Sequence, residues 1–143
     1  MPRLSHQRRV PRSPEIVFDL VADVESYPEF LPGWRTARVV ERQGNVWTVE
    51  QALGGRGFDW RFRTTATLDR PRSIHISSRD HPFRCLDQVW RFEPAGERAT
   101  HLSLEARYAL RGWLLQRLGS RIVDEGFRRT LRAFEERARR LPG

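Results

Sequence analysis

The sequence contains no lysine: every one of its 26 basic residues is arginine, and they leave a formal charge of +8 over 143 residues. Arginine's planar, permanently charged fork suits phosphate and carboxylate partners. An anionic partner such as RNA or a lipid headgroup surface therefore fits the excess. A genome biased towards arginine codons accounts for it as well, and DNA binding is not expected. The single cysteine, Cys85, excludes an intrachain disulfide and suits a reducing compartment. No apolar run approaches the ~18 residues of a membrane span, and the N-terminus lacks the apolar segment of a secretory signal. The expected location is the cytoplasm, at most peripheral to a membrane.

Reactive chemistry is equally sparse. His75 and His101 take outward strand phases, His6 stands at the start of the chain, and Pro82 separates His81 from Cys85. No zinc-like spacing results, so no metal is expected. Cys85 lacks a visible base and reads as a small residue at a strand start. No paired carboxylates and no Ser/His/Asp order stand out, so no catalytic residue is assigned. Gly54-Gly55-Arg56-Gly57 is too irregular for a phosphate loop and precedes a strand rather than a helix; no cofactor is expected.

What the chain does have is enough apolar material, 38% with five tryptophans and eight phenylalanines, to fold as one domain over residues 1–143. Residues 3–11 read as a charged edge strand ending at Pro11. Ser13-Pro14-Glu15 is a helix start, and the helix runs from Ile16 to about Val24 with Val17, Leu20 and Val21 on one face. Pro28 and Pro32 permit a short helical turn between them; Phe30, Leu31 and Trp34 beside it are too apolar for solvent. Ala37–Arg42 and Val46–Leu53 form a hairpin around Gln43-Gly44-Asn45, and Gly54 to Gly57 is a flexible break. Phe58, Trp60, Phe62, Thr64, Ala66 and Leu68 then alternate strictly with polar residues, as a half-buried strand does. Further strands cover Ser73–Ser78, Leu86–Glu93 and Thr100–Leu110.

Gly112 to Leu141 reads as one helix of about 30 residues, ~45 Å long. Ile122, Val123, Phe127, Leu131, Phe134, Ala138 and Leu141 form its apolar arc. Arg117, Arg121, Arg128, Arg132 and Arg139 gather on nearly the opposite side. Gly119, Gly126 and Ala133 follow one another at heptad spacing within the arc. A mid-helix glycine costs ~0.8–1 kcal/mol against alanine. The stripe therefore marks either close approach of helix to sheet or space left for a ligand.

The run Phe18-Asp19-Leu20-Val21, then Asp23-Val24-Glu25-Ser26-Tyr27-Pro28 to Phe30-Leu31-Pro32 and Trp34, carries a resemblance. So do Pro82 to Leu86, Val89 to Pro94, Phe127 and Ala133 to Ala138. Together they resemble the coenzyme-Q-binding and ribosome-association-toxin branch of the START-like polyketide cyclase superfamily over nearly the whole chain. The chain departs from it at Tyr108 to Trp113, where many relatives carry a Phe-x-Phe pair, and at loop 54–57. The resemblance implies an α+β helix-grip fold: about seven antiparallel strands curl around the long C-terminal helix, with two short helices between the first two strands. The residue pattern agrees independently, since short turns imply antiparallel strands and one amphipathic helix is available to cover them.

A cavity between sheet and helix follows. Phe58, Trp60, Phe62, Ile74, Ile76, Trp90, Phe92 and Leu104 are expected on the sheet side, and Gly119, Gly126, Phe127, Leu131 and Ala133 on the helix side. Gln88, Thr64 and Ser78 on inward phases are candidates to orient a carbonyl or hydroxyl. The leading expectation is non-catalytic binding or transport of a hydrophobic small molecule; the resemblance suggests an isoprenoid quinone or another lipid. The Arg117, Arg121, Arg128, Arg132 and Arg139 stripe would approach anionic headgroups. A second expectation is a ribosome-associated interaction module using the same arginines on RNA phosphates. The third is a polyketide cyclase or aromatase, which needs acid and base groups inside the pocket.

Overall fold

A computed structural model describes residues 3–55 and 58–142, without the side chains of Phe58, Leu114, Leu115, Leu118 and Ser120. Strand β1 (Arg3–Val10) leads into helix α1 (Pro14–Ala22) and a 3-10 turn, Val24–Glu29. Strands β2 (Trp34–Gln43), β3 (Val46–Gly55), β4 (Phe58–Asp69), β5 (Ser73–Ser78), β6 (Phe83–Pro94) and β7 (Thr100–Leu110) follow, then helix α2 (Trp113–Arg139). The strands make one antiparallel sheet in the order β1-β7-β6-β5-β4-β3-β2. Register shifts in β2, at Trp34/Thr36 and Val39/Glu41, and in β6, at Phe83/Cys85, are bulges that add bend and twist.

Local chemistry explains the element ends. The Ser13 hydroxyl accepts from the Ile16 amide at 3.5 Å and Pro14 follows at the first helical position, so α1 starts as its sequence dictates. Gly112 holds φ +84° at the corner between β7 and α2, a conformation that favours glycine. At the other end of α2 the Arg12 guanidinium donates to the carbonyls of Arg139 (2.9 Å) and Leu141 (2.8 Å). That cation satisfies orphan carbonyls and opposes the negative end of the helix dipole.

Several expectations need correction. The short turn is a 3-10 segment that contains Pro28 rather than lying between the two prolines. Proline's missing N–H is harmless in so short a helix. Strand β3 continues through Gly54 and Gly55, which pair with Asp59 and Phe58, so no break occurs there; Arg56 and Gly57 lie outside the described residues. Strand β6 begins at Phe83, ahead of the expected Leu86, because its bulge carries the ladder past Arg84. His6 lies in β1, as the expected first strand implies, and its ring nitrogen is 3.1 Å from Asp124 of α2.

Helix α2 packs on β1, β7 and α1. It therefore covers one edge of the sheet and leans away from β3 and β4. Beneath its second half the core is closed: Phe18, Phe92, Leu102, Leu104, Leu131 and Phe134 are all at most 2% exposed. Phe18 meets Phe92 edge to face at 5.2 Å between ring centroids. Beneath its first half the sheet curves away and a space remains.

Candidate ligand cavity

That space is a cavity of about 620 Å³, within the range of small-molecule sites. Its floor is the concave face of β3 to β6, contributing Trp47, Val49, Leu53, Trp60, Phe62, Ile74, Ile76 and Trp90. Its roof is the stretch of α2 ahead of Leu131, from Arg121 to Thr130, together with Phe134. One end is closed by an aromatic cluster that the Tyr27-Pro28 to Trp34 segment folds into place. Tyr27 stacks edge to face on Trp34 (5.7 Å) and on Phe134 (5.5 Å), and Phe134 on Trp90 (5.6 Å). The Tyr27 hydroxyl donates to the Val21 carbonyl, and burial raises its pKa well above that of a free phenol, with Asp23 adding to the shift. The loop is clipped to the sheet by the Gly54 amide, which donates to the Gly33 carbonyl at 2.8 Å.

Of the residues expected at the site, Trp60, Phe62, Thr64, Ile74, Ile76, Gln88, Trp90, Gly126 and Phe127 lie on the cavity wall. The Phe58 side chain lies outside the described residues. Phe92, Leu104 and Leu131 do not reach the cavity; they are buried in the closed core beneath the second half of α2. Gly119 is buried but not on the wall, and Ala133 packs against the closed core. The Ser78 hydroxyl is spent on backbone, donating to the Arg63 carbonyl at 2.6 Å and accepting from the Asp80 amide at 3.2 Å. Ile122, expected in the buried arc, is 52% exposed at the rim, flanked by the exposed Arg121, Glu125 and Arg129.

Gly126 separates the two explanations of the glycine stripe. A Cβ built there meets nothing within 4 Å, so close packing against the sheet is not what requires a glycine. Gly126 instead lies on the exposed side of the cavity lining, where its missing side chain leaves open space.

Residue-by-residue reading passed over Tyr27, Trp34, Gln51 and Thr130. Gln51 had a signal, since Trp47, Val49, Gln51 and Leu53 share one strand phase. Gln51 Nε2 donates to Thr64 Oγ1 at 3.0 Å, and Trp34 Nε1 donates to Gln51 Oε1 at 3.4 Å. Trp90 Nε1 donates to Gln88 Oε1 at 2.8 Å. Thr130 bonds back to the Gly126 carbonyl at 2.8 Å.

Apart from Arg121 at its rim, the arginine stripe lies outside the cavity. Arg128 pairs with Asp124 (3.7 Å) and Glu125 (3.8 Å), and Arg139 with Glu135 (3.0 Å). Arg117, Arg121 and Arg132 are exposed and make no ion pair with a described residue. Glu135 also accepts from Arg8 of β1. Partial burial pushes its carboxyl pKa up, but the hydrogen bonds from Arg8 and Arg139 outweigh this and leave it below the usual value. Among the described residues no three His, Cys, Asp or Glu gather as metal ligands would, and no helix is long and apolar enough to cross a membrane.

Residues 10–135 match the family described as polyketide cyclase/dehydrase and lipid transport. The chain is 30% identical over 141 residues to the ribosome association toxin RatA of Escherichia coli K12, covering 99% of this chain and 89% of that one. It is 31% identical to an 18 kDa protein of Caulobacter crescentus, with a TM-score of 0.76 and 96% of each chain covered. The fold is shared at a TM-score of 0.90 with the Zhui aromatase/cyclase of a Streptomyces species, at 17% identity and covering 97% of this chain and 94% of that one.

Proposed function

Starting from the chain's membership of the polyketide cyclase/dehydrase and lipid-transport family, in its ribosome-association-toxin branch, we propose that it binds a hydrophobic small molecule and releases it unchanged. An isoprenoid quinone or another lipid is the ligand class that fits. The observation that carries this reading is the 620 Å³ cavity with its wall of tryptophan, phenylalanine and aliphatic side chains. Transfer of an apolar tail from water into that space supplies the driving force, at about 25 cal/mol per Å² of apolar surface removed from water. The titratable groups on the described wall argue against acid–base catalysis. Arg121, Glu125 and Arg129 stand at the rim, and the Tyr27 phenol is committed to a carbonyl.

The test is native mass spectrometry of the protein purified gently from its own host, followed by solvent extraction. A stoichiometric quinone or lipid supports carriage; an empty protein from fresh cells contradicts it.

A second reading concerns the outer face of α2. The relative named a ribosome association toxin, and the exposed Arg117, Arg121 and Arg132, together favour contact with RNA phosphates. Co-sedimentation with ribosomal particles that weakens steeply with salt, and weakens further in Arg117→Glu/Arg132→Glu, is the expected result. Salt-independent or absent sedimentation would contradict it. The same arginines are also the candidates for a membrane surface, which vesicle flotation with anionic lipid would reveal.

A further inference from the structure

The carboxamides inside the cavity have a fixed direction. Gln51 and Thr64 line it while only 7% and 6% exposed, and Gln88 lines it two strands away, across β5. Trp34 Nε1 meets Gln51 Oε1 and Trp90 Nε1 meets Gln88 Oε1. An indole N–H is a donor with no acceptor capacity. Each tryptophan therefore pairs with the amide oxygen and holds the NH₂ end of the glutamine away from itself.

Following the protons shows what remains for a ligand. Gln51 gives one amide hydrogen to Thr64 Oγ1 and keeps the other. Thr64 Oγ1, already accepting, has its own hydroxyl hydrogen to donate. Gln88 gives neither amide hydrogen to a described residue. Unused donors thus stand on both sides of β5 in a largely apolar wall, while each amide oxygen already shares one of its two lone pairs with an indole.

We propose that Gln51, Thr64 and Gln88, oriented by Trp34 and Trp90, form a donor site that selects apolar ligands headed by an acceptor: a ketone, quinone or ester carbonyl. Heads that must donate meet amide oxygens that already accept an indole N–H and have one lone pair left, so they gain less. The proposal rests on the cavity being a ligand site, and refines which ligands enter it. Trp34 and Trp90 are positioning residues here, since they act through the glutamines.

The experiment is headspace partitioning of two volatile probes of equal chain length, 2-nonanone and n-nonane, over the wild-type protein and over Gln51→Met, Gln88→Met and the double variant. Methionine keeps the unbranched shape and removes the donors. The double variant should bind 2-nonanone about tenfold more weakly, as one or two net hydrogen bonds require. Its affinity for n-nonane should hold or rise. Equal losses for both probes, or no change in either, would overturn the donor site while leaving the cavity standing. Failure of the wild type to take up either probe would overturn the cavity reading, and the donor site with it. Thermal melting of each variant controls for folding, and Gln88→Met, at a half-buried position, carries the test if Gln51→Met does not fold.

Discussion

The two halves of α2 cover the same sheet and do opposite things. From Leu131 onward the helix presses Leu131, Phe134 and Ala138, none more than 1% exposed, onto Phe18, Phe92 and Leu104. From Arg121 to Thr130 it presents Gly126, Phe127 and Thr130 to an open volume. The difference is not in hydrophobicity, because both halves face apolar strands. It lies in the volume supplied from the other side: α1 brings Val17 and Phe18 into the closed half, whereas it reaches the open half only with Val21 and Ala22 at the cavity wall. A packed interior and a binding cavity are thus made from the same residue types, separated by whether the opposing layer fills the space.

Phe92→Ala should expose that contrast most strongly. Truncation in the closed half is expected to cost about 3–5 kcal/mol. Trp60→Ala on the cavity wall should cost clearly less, since that ring already borders empty space. Urea unfolding of the two variants measures both, and equal losses would erase the distinction between halves. Gly126→Ala should stabilise the protein by roughly 0.8–1 kcal/mol, because helix propensity improves and the new methyl meets nothing within 4 Å. A destabilised variant would return the glycine to close packing.

Glu135 belongs to the closed half, where it ties α2 to β1 through Arg8. Its pKa is depressed in the folded protein, so its stabilising contribution is present above the unfolded carboxyl pKa and lost as pH falls through the folded value. Glu135→Gln should accordingly be less stable than wild type at neutral pH, with the gap closing in acid. A gap that does not depend on pH would place the effect in shape rather than charge. The smallest effect is expected outside both halves: Arg132→Glu, exposed and without an ion pair among described residues, should shift stability by no more than ~0.5 kcal/mol. Only its effect on an anionic partner should be large.

Much of this architecture was readable in the chain. The strict alternation from Phe58 to Leu68 and the bounds of β5 and β7 follow from period-two patterning, and the α1 start follows from Ser13-Pro14. The resemblance carried by the Tyr27-Pro28 to Trp34 segment supplied the helix-grip arrangement. The cavity was legible as a phase, since inward strand positions name both core and cavity residues, but not as a place along the strand. Trp90 and Phe92 share a phase on β6, and so does Leu104 of β7, Trp90's cross-strand partner. Of the three only Trp90 reaches the wall, because α1 and the second half of α2 cover the others. Sequence periodicity carries no information about that third layer. For the same reason Ile122 sat on the apolar arc of α2, yet stands at the rim where the sheet has curved away.

The most direct measurement is calorimetric titration of the wild type and of Gly126→Trp with a short-chain isoprenoid benzoquinone. Gly126 lies on the exposed side of the cavity lining, so an indole there is expected to obstruct the opening and leave the closed half untouched. The account predicts stoichiometric binding to the wild type, with the negative heat-capacity change of apolar burial, and none to a variant whose melting temperature is not reduced. Equal binding by the two proteins, or none by the wild type, would contradict it.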